Sequence, residues 1–374
     1  MAKGWYVGIN GTARKVKKGY IGVDGVARKI KKAYIGIGGV ARPCWSEEQK
    51  IVKYGAITNL SKSASEYKSG EMDNYALFLT SDSYPNLYDK SLTHSKMTKP
   101  FAGHASARAG KYLIVPNTST SMYTRAIDQS LTVTNLEDYP VGLYGLCGGT
   151  AGDYAIFGGG RTDGDYDTTS LFVAYNSSLT RTNRYSPNYL SLEEMKGGSF
   201  NNHAIFGGGL DEDDIESNQV FTFNSSLTGT LRSQMQSIRE WHSFAATPSH
   251  AIFACGRMVD WNEGVEYWRT NSDAYDKSFT RTNGPVFPTA KCGMSGESFG
   301  EFALFLGGIL KGATTATNTV HSVDASLTLT AQSNMTRSRN DGATSTIGDY
   351  LIIAGGFTTG SGITYAEAYK LEDA

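Results

Sequence analysis

The sequence predicts an all-β fold: a ring of seven small antiparallel sheets preceded by a region of repeated β-hairpins. Three observations carry that expectation. The composition favours strands and turns, with 43 Gly, 22 Tyr and 16 Phe among 374 residues. The first 43 residues repeat with a period of 14. From about residue 51 a longer unit returns seven times, its copies 37 to 52 residues apart.

The short repeat reads Tyr6-Val-Gly-Ile-Asn10-Gly11, then Tyr20-Ile-Gly-Val-Asp24-Gly25, then Tyr34-Ile-Gly-Ile-Gly38-Gly39. Asn-Gly, Asp-Gly and Gly-Gly supply the positive φ angles of a two-residue hairpin turn, so each copy is expected to be a hairpin. Together they make a small meander that Pro43 is expected to end. Residues 1–43 hold ten Lys/Arg and one acid, Asp24, so the remainder holds 25 of the 35 basic and 35 of the 36 acidic side chains. That is +9 against −10, and it argues for two parts with different roles. The boundaries read as 1–45 for the basic hairpin region and 46–374 for the ring. The basic strip suits either a solvated, edge-protecting face or docking onto an acidic partner. It lacks the interleaved aromatics of single-strand binders, so nucleic acid is not an expected partner.

The long repeat has two markers. The first is an apolar strand: Tyr75–Leu79, Tyr112–Val115, Tyr154–Phe157, His203–Phe206, His250–Phe253, Phe302–Phe305 and Tyr350–Ile353. In four copies a Gly-Gly follows, at 158–159, 207–208, 307–308 and 355–356. The second is a turn of the form Asp/Asn-x-Ser-Leu/Phe-Thr, beginning at Asp89, Asp128, Asn176, Asn224, Asp276 and Asp324. A unit of this length with about four short strands is that of a β-propeller blade. The seventh copy ends after Tyr365–Leu371 with no outer strand, while residues 54–60 resemble an outer strand with no inner ones before them. The ring is therefore expected to close by pairing 54–60 with the C-terminal blade, which removes the open edges.

These blades resemble kelch repeats: strand, Gly-Gly, variable loop, strand, tight turn, outer strand. They depart from that pattern in lacking its regular Trp, and three blades lack the double glycine. The hairpin segment Tyr20-Ile-Gly-Val-Asp-Gly-Val-Ala-Arg-Lys-Ile-Lys-Lys resembles segments near the N-termini of tail-associated proteins of phages and prophages of Gram-positive bacteria. That resemblance implies a virion component, made in the bacterial cytoplasm without a signal peptide and assembled as a homo-oligomer. It implies that Arg14, Lys15, Arg28, Lys29 and Arg42 contact other tail proteins, and that the propeller binds a host-surface glycan or protein. The alternatives left open are a decoration protein contacting neighbouring subunits and, ranked below it, a carbohydrate-active enzyme.

Strand parity sharpens this expectation. Connections between the first and second strands of a blade, and between third and fourth, fall on one face and are tight. The variable connections all fall on the other face, where binding residues are expected. Trp241, Arg257, Trp261, Tyr267 and Trp268 form an aromatic group suited either to stacking on a sugar or anchoring a protein, or equally to packing beneath the long blade 5 loop. Tyr185, Tyr189, Glu193 and Glu194 mark a rim nearby. Asp163, Asp165 and Asp167, with Asp211 and Asp213, place alternating carboxylates that suit either a solvated loop or a Ca²⁺ site, although the twelve-residue calcium loop is absent. No cofactor is expected, and no run of the sequence is apolar enough for a membrane span. The six histidines are dispersed, no GxSxG, HExxH or P-loop occurs, and a sialidase-type Asp-box is missing. A non-enzymatic protein is the expectation. The four cysteines lack CxxC spacing and read as free thiols.

Overall fold

The structure is a computed structural model. It describes residues 49–373 apart from 65–68, 81–82, 119–121, 163–166 and 261–262, and the backbone of six strands between residues 6 and 46. These divide into two compact units, residues 53–370 and residues 1–52 with 371–374.

The six N-terminal strands pair as three separate two-stranded hairpins, Tyr6–Ile9 with Thr12–Lys15, Gly19–Val23 with Val26–Ile30, and Lys32–Ile37 with Val40–Ser46. Pro43 lies in the last strand of the third hairpin, which runs on to Ser46 with Tyr34 opposite Pro43 and a register shift between Ala33 and Tyr34. A bulge next to an edge position tolerates the missing proline N–H.

The larger unit is a seven-bladed β-propeller. Each blade is a four-stranded antiparallel sheet, and successive blades occupy residues 69–96, 107–135, 147–185, 196–232, 243–283 and 291–332. The seventh takes Ala343–Ile347, Tyr350–Ala354 and Ala366–Asp373, with Gln49–Ala56 as its fourth strand. The outer strand thus starts earlier than the expected 54–60, and residues 57–60 continue alongside it. Ile57 N–H donates to Ala366 O (3.1 Å) and Leu60 N–H to Thr364 O (2.9 Å).

The inner strands of neighbouring blades touch around the ring, and because they share no ladder, hydroxyls bridge them. Thr150 Oγ1 donates to Arg108 O (3.1 Å), Ser295 Oγ to Gly342 O (2.7 Å) and Thr344 Oγ1 to Gly296 O (3.3 Å). Further out, buried tyrosines of alternate blades reach back to the preceding outer edge. Tyr175 Oη donates to Glu137 O (2.9 Å), Tyr275 to Ser233 O (2.7 Å), Tyr369 to Ser333 O (2.8 Å) and Tyr88 to Thr58 O.

Both sequence markers have a physical reason. In all six Asp/Asn turns the side-chain oxygen accepts two backbone N–H groups, as Asn176 Oδ1 does from Ser178 (3.0 Å) and Thr180 (2.9 Å). That turn holds the following Leu or Phe at a φ of +59 to +64, a conformation such residues otherwise avoid. The double glycine is an interblade latch. Gly308 N–H donates to Arg339 O of the next blade (2.9 Å), while a Cβ on Gly307 (φ +71) would lie 2.1 Å from the same oxygen. Gly159/Gly160 grip Leu192 O, Gly208/Gly209 grip Arg239 O, and Gly355/Gly356 grip Ala64 O in the same way. Blade 5 places Cys255 at the first position, at φ +59, and there Gly256 reaches Lys291 O instead.

Two latch carbonyls belong to arginines that are themselves fully buried. Arg239 pairs with Asp273 (2.8 Å) and Arg339 with Glu367 (3.2 Å), and both guanidinium groups also donate to two backbone carbonyls. Breaking such a pair strands a dry charge at a cost of about 3–5 kcal/mol.

Two predictions test the latch and the closure. Gly307→Ala should destabilise by about 1–2 kcal/mol for the left-handed backbone plus about 1–3 kcal/mol for the clash. Gly312→Ala has a similar φ, +73, but open space around it, and should show only the first cost in urea melts. Equal losses would mean the latch carbonyl yields freely. A chain beginning at Ser61, lacking the closing strand, should melt at a lower temperature than the full chain.

Candidate functional site

Among the described residues, nine of the twelve exposed large apolar side chains lie in the connections of one face, those joining second to third strands within a blade or leading into the next. Tyr189 (72% exposed), Ile215, Trp241 and Tyr267 are among them. The tight-turn face has none of the nine.

The best-defined cluster on this face surrounds Trp241, in the connection into blade 5. Its backbone sits at φ +48, and its carbonyl accepts Gly293 N–H (2.9 Å). The indole Nε1 donates to Glu194 Oε2 of the preceding connection (2.6 Å). The Arg257 guanidinium stacks 4.2 Å from the ring centroid. Arg257 opens a small hairpin, Arg257–Asp260 with Val265–Trp268, inserted where the sequence suggested an irregular loop. Its Nε donates to Glu240 (2.8 Å) and its Nη1 to Glu266 (2.8 Å). Glu266 also accepts the Trp268 indole N–H (2.8 Å). Burial raises the Glu240 carboxyl above its usual range, and Arg257 opposes that rise. Trp241 is therefore fixed between two charge contacts, with one part of its surface covered by Arg257 and 36% of it open.

Trp241, Arg257 and Trp268 thus come together. Tyr267 sits opposite Met258, one position out of phase with Trp268, and is exposed. Asp167 is exposed at the foot of the blade 3 connection, where its carbonyl accepts Thr162 N–H (2.9 Å). Trp261, Asp163 and Asp165 lie outside the described residues, as do the side chains of Arg14, Lys15, Arg28, Lys29 and Arg42. Asp211 Oδ1 accepts the N–H groups of Asp213 and Ile215 (both 3.0 Å), so the acidic stretch is another Asx turn. No group of three or more His, Cys, Asp or Glu among the described residues is placed to hold a metal ion. A cleft of about 500 Å³ opens between Tyr189 and that turn. Glu240 and Glu266, which orient Arg257, were not singled out in the sequence; their signal was adjacency to Trp241 and alternation with Trp268.

A second feature is the central channel, about 710 Å³, walled by the inner strands. Glu71 and Glu297 project there from blades 1 and 6. Glu71 is exposed to the channel, yet the surrounding blades enclose it, so its carboxyl is raised by desolvation. Enclosure pushes Glu297 up to about 8, with repulsion from Glu71 adding to it and the Thr344 hydroxyl opposing. The folded protein therefore keeps a proton that the unfolded chain loses above about pH 4.5. Stability from this group is full below that pH and drains away as pH rises through 8. Glu297→Gln should flatten the fall in urea midpoint between pH 5 and pH 8; an unchanged slope would place the titration elsewhere.

Comparison with known proteins adds the fold alone. No family model matches the chain, and no curated protein matches it. The solved structure titled "Structure of YjhT" is similar, with a TM-score of 0.56 at 11% sequence identity, over 74% of this chain and 99% of that one.

Proposed function

We propose that this chain is a non-enzymatic attachment protein of a phage or prophage tail, whose variable-loop face binds a host-surface glycan. The observation that carries this reading is the concentration of exposed aromatic and apolar side chains on one face of a rigid ring. Around them Trp241 is held by Glu194 and Arg257. A fixed, half-open indole offers a flat apolar surface beside charged hydrogen-bonding groups, which suits the alternating apolar and hydroxyl faces of a sugar. The basic hairpins, through Arg14, Lys15, Arg28, Lys29 and Arg42, supply the contact with other tail proteins. The kelch-like repeat and the hairpin resemblance support this assignment.

Binding to cell-wall polysaccharides of Gram-positive bacteria, measured on an array and by calorimetry, tests it. Trp241→Ala should weaken binding at least tenfold, as expected for an aromatic anchor worth about 2 kcal/mol. Replacing residues 257–268 by a short turn should abolish it, and the glycan should be recovered uncleaved. Binding that survives the replacement would put the site elsewhere. Absence of any glycan binding, with retention on assembled particles, would favour a decoration role.

A further inference from the structure

One buried titratable group has no part in that site. His242 follows Trp241 directly, is 1% exposed, and neither ring nitrogen makes a hydrogen bond of full geometry. Leaving a buried polar side chain unsatisfied costs about 1–3 kcal/mol, so packing alone does not favour imidazole here.

The repeat shows what packing does favour. The ladder aligns Ser243 with Cys147, Lys196 and Ala343 of other blades, each the start of an inner strand facing the end of the second. The residue just before is Leu146, Met195, His242 or Gly342. Leu146 and Met195 are buried and apolar. The socket itself is the glycine latch: a Cβ on Gly159 would lie 2.2 Å from Met195 Cε, and one on Gly208 would lie 2.4 Å from His242 Cε1. His242 therefore caps the latch between blades 4 and 5 as Met195 caps the one between blades 3 and 4.

We propose that His242 is an acid-sensitive catch: protonation puts a charge into this dry latch, loosening the blade 4–5 joint and the connection that carries Glu240 and Trp241. The charged groups facing it are both cations, Lys196 from the inner strand of blade 4 and Arg239 from its own connection, the latter paired with Asp273. Phe253 of blade 5 stacks at 5.8 Å and offers no counter-charge. Burial and these two cations hold the imidazole well below its ordinary value, with the Gly207 backbone opposing them. The sign follows: the stability is fully present above the unfolded value of about 6.5 and is lost as pH falls toward the depressed folded value. The latch depends on these contacts alone; its bearing on ligand release rests on the binding face proposed above.

The test uses the full chain and His242→Met, the residue that fills the matching socket at 195. Below about pH 6 the folded-to-unfolded ratio of the wild type should fall roughly tenfold more per pH unit than that of the variant. The protection factor of the Gly209 amide, which donates to Arg239 O (3.1 Å), should fall with acid in the wild type only, once the slower intrinsic exchange at low pH is divided out. Identical pH profiles for the two proteins overturn the proposal. So does an NMR titration placing the His242 imidazole at 6.5 or above, a measurement that stands even if the variant does not fold. Glycan binding measured at pH 7.5 is untouched by this catch, so its absence would count against the binding face and not against His242.

Discussion

Every blade must grip a neighbour with which it shares no backbone ladder. At four of the seven joints the double-glycine latch does this with a single carbonyl. The first glycine must lack a Cβ so that the next blade's oxygen can come close, and the second must turn its N–H toward that same oxygen. A side chain at the first position would push the blades apart, and the hydroxyl bridges at the inner strands would lengthen with them. The fully buried Arg239 and Arg339 belong to the same device, because each supplies a latch carbonyl while its guanidinium is bound within the following blade. The latch also fixes the connection that follows it, and so decides where Glu193, Glu240 and Trp241 emerge on the variable face.

The tyrosine contacts add a second rhythm to the ring. Tyr88, Tyr175, Tyr275 and Tyr369 mark blades 1, 3, 5 and 7, while blades 2, 4 and 6 hold Ile127, Phe223 and Val323 at the matching position. Blades 2–3, 4–5 and 6–7 are thereby tied as pairs, and the closing joint from blade 7 to blade 1 repeats the same tie. The two buried arginines fall at the 4–5 and 6–7 joints, within pairs.

Much of this was legible in the residues, and the limits have physical causes. The Asp/Asn turns could be read because their chemistry is local: one side chain caps N–H groups two and four positions ahead. The double glycine could be seen but not explained, since its reason is an oxygen on the next blade some 30 residues away. Blade 5 shows the limit of pattern matching, where Cys255 takes the left-handed backbone without being glycine. Trp241 stood out by composition, but the carboxylate that holds its indole, Glu194, lies 47 residues earlier, and only the ring brings them together.

The closing strand has a consequence in time. Lys53 ends 2.7 Å from Asn334 O and 3.6 Å from Glu367, and Asn59 Oδ1 accepts Ala366 N–H, 307 positions along the chain. At a translation rate of roughly 5–20 residues per second, residues 53–60 leave the ribosome roughly 15–60 s before their partners exist. One of the first segments of the ring to be synthesised is thus among the last to be paired. Until then the growing protein carries an unpaired edge at its N-terminal side, open to any other nascent copy on the same message. Closure is a race between the emergence of residues 366–373 and association with a neighbour.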